Sequence, residues 1–154
     1  MLNVVLVHPE IAPNTGNIAR LCVCNNLRLH LVHPLGFQIT DKNLKRAGMD
    51  YWKHLDLVEY ADLDDFLARL PAGVRLKFLS TKGTTAHWDA RFHDGDWLVF
   101  GAESCGLPDR LRTEVEGDWL TIPMTGDFVR SLNLSSSVAI VVYEALRQLR
   151  PGAG

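Results

Sequence analysis

Three stretches of the chain gather the side chains that could do chemistry. Residues 14–20 read Asn, Thr, Gly, Asn, Ile, Ala, Arg and lead into an apolar pattern at Ile18, Leu21 and Cys22, the signature of a turn running into a helix. Free N–H groups and the dipole at such a helix start favour an anion such as phosphate, and Arg20 falls within the first turns. A capped helix with one solvated arginine accounts for the same residues. Neither a Walker loop nor a G-x-G-x-x-G dinucleotide motif is present. Residues 101–108 read Gly, Ala, Glu, Ser, Cys, Gly, Leu, Pro; the glycines let backbone groups approach a flat ligand such as adenine, and Glu103 adds an acceptor. A wide turn with an exposed glutamate is the plainer alternative. Residues 122–135 form a connection too long for a simple link, and it delivers Ser131 and Asn133 to the start of a final helix. Serine and asparagine also serve as helix caps, so this third stretch admits two uses.

Other reactive residue types are less organised. His30 and His33 lie around a strand end, and His8, His87 and His93 have no Cys or carboxylate framework at ligand spacing, so no metal is expected. Cys22 and Cys24 sit on one predicted helix with side chains pointing in different directions, which suits packing better than a redox pair. The tryptophans at 52, 88, 97 and 119 are dispersed, as core-filling residues are, although any could stack a base.

Alternating elements must position the three stretches. Strands are expected at residues 3–7, 29–32, 55–58, 75–80, 97–100 and 120–122. Helices are expected after residue 17, from Asp41 through Lys45 or Arg46, over residues 62–70, and over residues 133–149 with an apolar stripe at Leu134, Val138, Val141, Val142, Leu146 and Leu149. Such alternation predicts an α/β fold with a mainly parallel sheet and helices on both faces, and a ligand site beyond the carboxyl ends of the strands. No repeat, low-complexity tract or linker interrupts the sequence, so residues 1–154 are expected to form one domain.

Composition limits the partners. With 47% hydrophobic and 22% charged residues, the chain can bury a core and has no disordered character. No apolar run approaches the roughly 20 residues of a membrane span, no basic leader is evident, and the three cysteines are an odd number; a cytoplasmic protein with reduced thiols and no membrane partner is expected. A net charge of −2 argues against a surface that binds nucleic acid everywhere. A local basic patch drawn from Arg20, Lys45, Arg46, Lys53 and Arg130 remains compatible with it.

Taken together and in order, the three stretches resemble the motifs of the SPOUT methyltransferases, in the branch of tRNA ribose 2′-O-methyltransferases, over essentially the whole chain. The first motif is matched by residues 14–20, the second by residues 98–108, and the third by Ile122, Pro123 and Met124 followed by residues 130–135. The resemblance implies a C-terminal deep trefoil knot, a homodimer, S-adenosylmethionine as methyl donor and tRNA as partner. Periodicity could not reveal a knot, because knotted chains are rare. It implies backbone contacts to the cofactor from Leu79, Gly101, Ile122, Met124 and Leu132, with Ser131 also on the cofactor side. Arg20, Glu103, Ser131 and Asn133 match the family's catalytic polar positions, with Asn14 and Asn17 in support. Ser137 departs from the pattern, which places a small apolar residue there. The lack of flanking RNA-binding extensions favours the branch acting on the wobble ribose, cytidine or modified uridine at position 34, of leucine tRNAs. The active-site residues alone leave open another ribose in tRNA or ribosomal RNA; the net acidity also allows a non-catalytic RNA- or nucleotide-binding module, against which the intact Arg20, Glu103, Ser131 and Asn133 argue.

Overall fold

A computed structural model describes residues 1–40, 42, 50–129 and 131–152. Seven strands, β1 (Asn3–Val7), β2 (Arg28–Val32), β3 (Asp56–Tyr60), β4 (Leu76–Leu79), β5 (Thr85–Ala86), β6 (Trp97–Phe100) and β7 (Asp118–Thr121), form one sheet in the order β3-β2-β1-β6-β4-β7-β5. Every pairing in it is parallel. The central strands β1, β4 and β6 are buried along their whole length. Near-continuous apolar runs are what a strand covered on both faces requires.

Side chains alternate along the strands between two layers. Val4, Leu6, Leu29, Leu31, Leu98 and Phe100 join one core with α1 (Ala12–Cys24) and the last helix, α4 (Leu134–Leu149). Val5, Val7, Val32, Phe78 and Val99 join the other with Phe66 of α2 (Leu63–Ala68) and Leu111 of α3 (Arg110–Glu114). The stripe predicted on α4 is the buried one: Leu134, Val138, Val141 and Val142 lie in the core, and Leu146 and Leu149 pack against it. Each of the buried valines contributes about 1.5–3 kcal/mol.

Boundaries differ from the sequence reading in informative ways. The expected turn at residues 13–17 is the first turn of α1 itself, with Pro13 at its start and Asn14, Thr15 and Gly16 buried. Proline's fixed φ is preorganised for that position, so it opens the helix instead of delaying it. Arg20 therefore lies in the third turn and is exposed. Strand β7 ends at Thr121, leaving Ile122 in the following loop. Both β5 and α3 were not foreseen; at two and five residues they are too short for any periodicity to register. The helix expected from Asp41 to Lys45 or Arg46 lies outside the described residues. No described helix is long and apolar enough to cross a membrane.

Candidate active site

Parallel strands deliver the connections that follow them to one edge of the sheet. Those after β1, β4, β6 and β7 enclose a cavity of about 580 Å³ there. Leu79, Gly101, Ile122, Met124, Ser131 and Leu132 all line it, as do Glu103 and Asn133. Arg20 does not; its guanidinium lies 6.0 Å from the centre of the Tyr51 ring.

Glu103 reaches away from its own loop to the start of α1. Its carboxylate accepts from the backbone N–H groups of Glu10 at 2.8 Å and Ile11 at 2.9 Å, and from Asn14 Nδ2 at 3.2 Å. The N-cap residue of α1, Ile11, has no capping side chain; its own N–H and that of Glu10 before it are taken up by a carboxylate that the fold brings from 92 residues away, at the positive end of the helix dipole. The exchange is mutual: Glu10 Oε1 accepts from the backbone N–H and hydroxyl of Ser104, at 2.9 and 2.6 Å. These bonds hold the Glu10 carboxyl below its ordinary range.

Asn133 closes the same network from the third stretch. It is the N-cap of α4, its Oδ1 accepting from the backbone N–H groups of Ser135 at 2.9 Å and Ser136 at 3.4 Å. Its Nδ2 donates to Asn14 Oδ1 at 3.0 Å. The cap suggested by the sequence is realised, and the same side chain fastens α4 to α1 beside the cavity. Ser137 donates its hydroxyl to the Asn133 carbonyl at 3.2 Å, which gives the unexpected serine a partner.

The loop of residues 101–108 is shaped by its glycines. Ala102 and Gly106 exchange backbone hydrogen bonds of 3.2 and 2.9 Å, and Gly106 adopts φ +69°. A Cβ on Gly101 would stand 2.1 Å from the Gly106 carbonyl carbon, so only a bare Cα fits. The close approach that requires glycine is thus the loop folding on itself.

The far wall was missed from sequence. Lys82 in the β4–β5 connection, Arg112 on α3 and Trp119 on β7 also line the cavity. The glycine-bearing turn at Lys82 and Gly83 was the available signal, but nothing local connects it to residue 112 or 119. Cys22 is buried, and burial pushes its thiol up to about 12, whereas Cys24 and Cys105 are exposed. Among the described residues, no three His, Cys, Asp or Glu side chains cluster as a metal site.

Residues 1–143 match the SpoU rRNA Methylase family. The tRNA (cytidine(34)-2′-O)-methyltransferase of Escherichia coli strain K12 is 49% identical over 156 residues, covering 99% of this chain and 98% of that protein. A solved structure described as giving structural insights into the 2-OH methylation of C/U34 on tRNA is 46% identical, with a TM-score of 0.90 over 97% of this chain and 96% of that one. The SpoU methyltransferase AviRb from Streptomyces viridochromogenes, solved in complex with the cofactor AdoMet, is 26% identical with a TM-score of 0.81; the match covers 96% of this chain and 57% of that chain.

Proposed function

The chain belongs to the SpoU rRNA methylase family, and we propose that it transfers a methyl group from S-adenosylmethionine to the ribose 2′-hydroxyl of the wobble nucleotide, cytidine or modified uridine 34, of tRNA, leucine tRNAs included. The observation that carries this reading is the joining of the three motif stretches at one cavity through Glu103, Asn14 and Asn133.

The cavity suits the proposed cofactor. Its volume falls in the range of small-molecule sites, Leu79, Ile122 and Leu132 give it apolar walls, and Gly101 keeps one wall free of side chain. When bound, the cofactor supplies an electrophilic methyl group on a sulfonium. The protein's task is then to hold the 2′-oxygen close and aligned, where proximity and orientation provide most of the advantage. Ser131, exposed on the cavity wall, is assigned to a polar contact on the cofactor side, and Asn133 to holding that wall against α1 on the ribose side. Glu103 acts as a positioning residue, because its carboxylate already serves three donors. Arg20 is assigned to binding RNA and polarising the 2′-hydroxyl; a guanidinium stays protonated at neutral pH and is a poor proton acceptor.

Because Arg20 stands outside the cavity of its own subunit, its action requires RNA or a second subunit to bring cavity and guanidinium together. This favours a homodimer, with Ile140 and Tyr143 as exposed apolar residues on α4 available to a partner. The reading also places the protein in the cytoplasm with its substrate and extends to it the family's C-terminal knot.

Incubation with bulk tRNA and methyl-labelled S-adenosylmethionine, followed by nuclease mapping, tests the proposal. Label on the 2′-oxygen of nucleotide 34 is expected; label on a base or at another ribose overturns it.

A further inference from the structure

The far wall of the cavity differs in character from the wall that joins the motif stretches. On the motif-side wall Asn14 is bonded to both Glu103 and Asn133. The far wall presents two cations, Lys82 and Arg112, and among the described residues neither forms an ion pair. In contrast, Arg28, Arg69, Arg75, Lys77, Arg110 and Arg147 are each matched to a carboxylate.

Arg112 is held in place without being neutralised. Its guanidinium lies 4.0 Å above the centre of the Trp119 ring, and Nη2 donates to the Lys82 carbonyl at 3.4 Å. Trp119 is itself stacked on the buried Phe78, their centroids 4.6 Å apart. A guanidinium set over an indole, with one nitrogen donating to a carbonyl, keeps its remaining N–H donors for a planar or tetrahedral anion, and loses less entropy on binding than a free side chain. The bond from Arg112 to the Lys82 carbonyl ties the two cation-bearing segments together at the cavity rim. Asp109 is the carboxylate on this wall, and no ion pair joins it to either cation.

We propose that Lys82 and Arg112, set on Trp119, form an RNA phosphate subsite at the rim of the cavity. It rests on the reading of the protein as a tRNA methyltransferase, and names where the backbone of that RNA is gripped. Both side chains are exposed. An exposed rim suits a phosphate on a large polyanion better than the carboxylate of a small enclosed ligand. The net charge of −2 requires RNA affinity to come from local unpaired cations, and these two stand beside the cavity where the 2′-hydroxyl must enter.

Filter binding of unmodified tRNA over a range of salt concentrations tests the subsite without requiring methyl transfer. Lys82→Gln and Arg112→Gln are each expected to weaken tRNA binding about tenfold near 0.1 M salt and to lower the slope of log affinity against log salt by about 0.7–0.9. Arg112→Lys, which keeps the charge but not the stacked fork, should recover the slope and only part of the affinity. S-adenosylmethionine affinity, measured by calorimetry on the same variants, should match the wild type, which also shows that they are folded. Unchanged tRNA affinity and slope overturn the subsite, as does weakened cofactor binding with an unchanged slope, which assigns the cations to the cofactor. A wild-type protein that binds no tRNA overturns the functional reading as well; one that binds it equally with either glutamine variant overturns the subsite alone.

Discussion

The side-chain amide of Asn133 donates to the side-chain oxygen of Asn14 at 3.0 Å, across 119 residues of sequence. The same asparagine caps α4, so one side chain both starts a helix and fastens it to another. Two substitutions separate these roles. Asn133→Asp keeps the acceptor that caps α4 but cannot donate to Asn14 Oδ1, whereas Asn133→Ala loses both.

Thermal melts should therefore show Asn133→Ala destabilised by about 1 kcal/mol from the lost cap, plus the cost of the unpaired Asn14. Asn133→Asp should keep the capping contribution, yet both variants should lose most methyl transfer, because the cavity wall is no longer tied to α1. Wild-type activity in Asn133→Asp would show that the bond to Asn14 plays no part in catalysis.

Glu103→Gln tests whether the carboxylate works by positioning. The substitution removes charge from the start of α1 and replaces one of the two acceptor oxygens facing Glu10 and Ile11 with a donor. Charge-assisted bonds of this kind contribute about 1.5–3 kcal/mol, so a melting temperature several degrees lower is expected. Weaker S-adenosylmethionine binding should accompany it as the loop of residues 101–108 loosens. An unaltered melt with abolished activity would instead assign Glu103 directly to the reaction.

Arg20→Ala should behave in the opposite way. The side chain is exposed and outside the cavity, so stability should change by no more than about 0.5–1 kcal/mol, the value of its contact with Tyr51. Calorimetry should find cofactor binding intact, while initial rates fall about a hundredfold or more through lost orientation of the ribose. A variant that turns over at the wild-type rate removes Arg20 from the mechanism.

His30 makes stability depend on pH. It is buried between Tyr60, whose hydroxyl lies 2.9 Å from Nδ1, and Asn3, whose Oδ1 lies 2.8 Å from Nε2, with the Trp97 ring 4.3 Å away. Burial, and then the nearby Arg28, push its pKa down to about 4. The unfolded chain binds a proton near pH 6.5 and the folded one does not until about pH 4, so this contribution is complete above pH 6.5 and lost as pH falls to about 4. The loss amounts to about 3 kcal/mol over that window. Denaturant titrations at pH 7, 6, 5 and 4.5 should show the decline, and His30→Gln, which keeps polar partners but does not titrate, should flatten it. An equal decline in the glutamine variant would place the dependence elsewhere.

What the sequence determined is what repeats locally. Apolar runs such as Val4 to Val7 and Trp97 to Phe100 encode strands covered on both faces, and the stripe on α4 encodes a helix laid on the sheet. The order of the three motif stretches carries the family, and residues from each of them, though not Arg20, line one cavity. Tertiary structure decided the pairings that no period carries. It brought Glu103 to the start of a helix 92 residues earlier, turned Pro13 to Asn17 from a loop into the opening of α1, and set Arg112 over Trp119 beside Lys82. Those relationships depend on strand order β3-β2-β1-β6-β4-β7-β5, which brings the ends of β1, β4, β6 and β7 to one edge. Local propensity fixes what each segment becomes; only closing the long loops between strands fixes which segments meet.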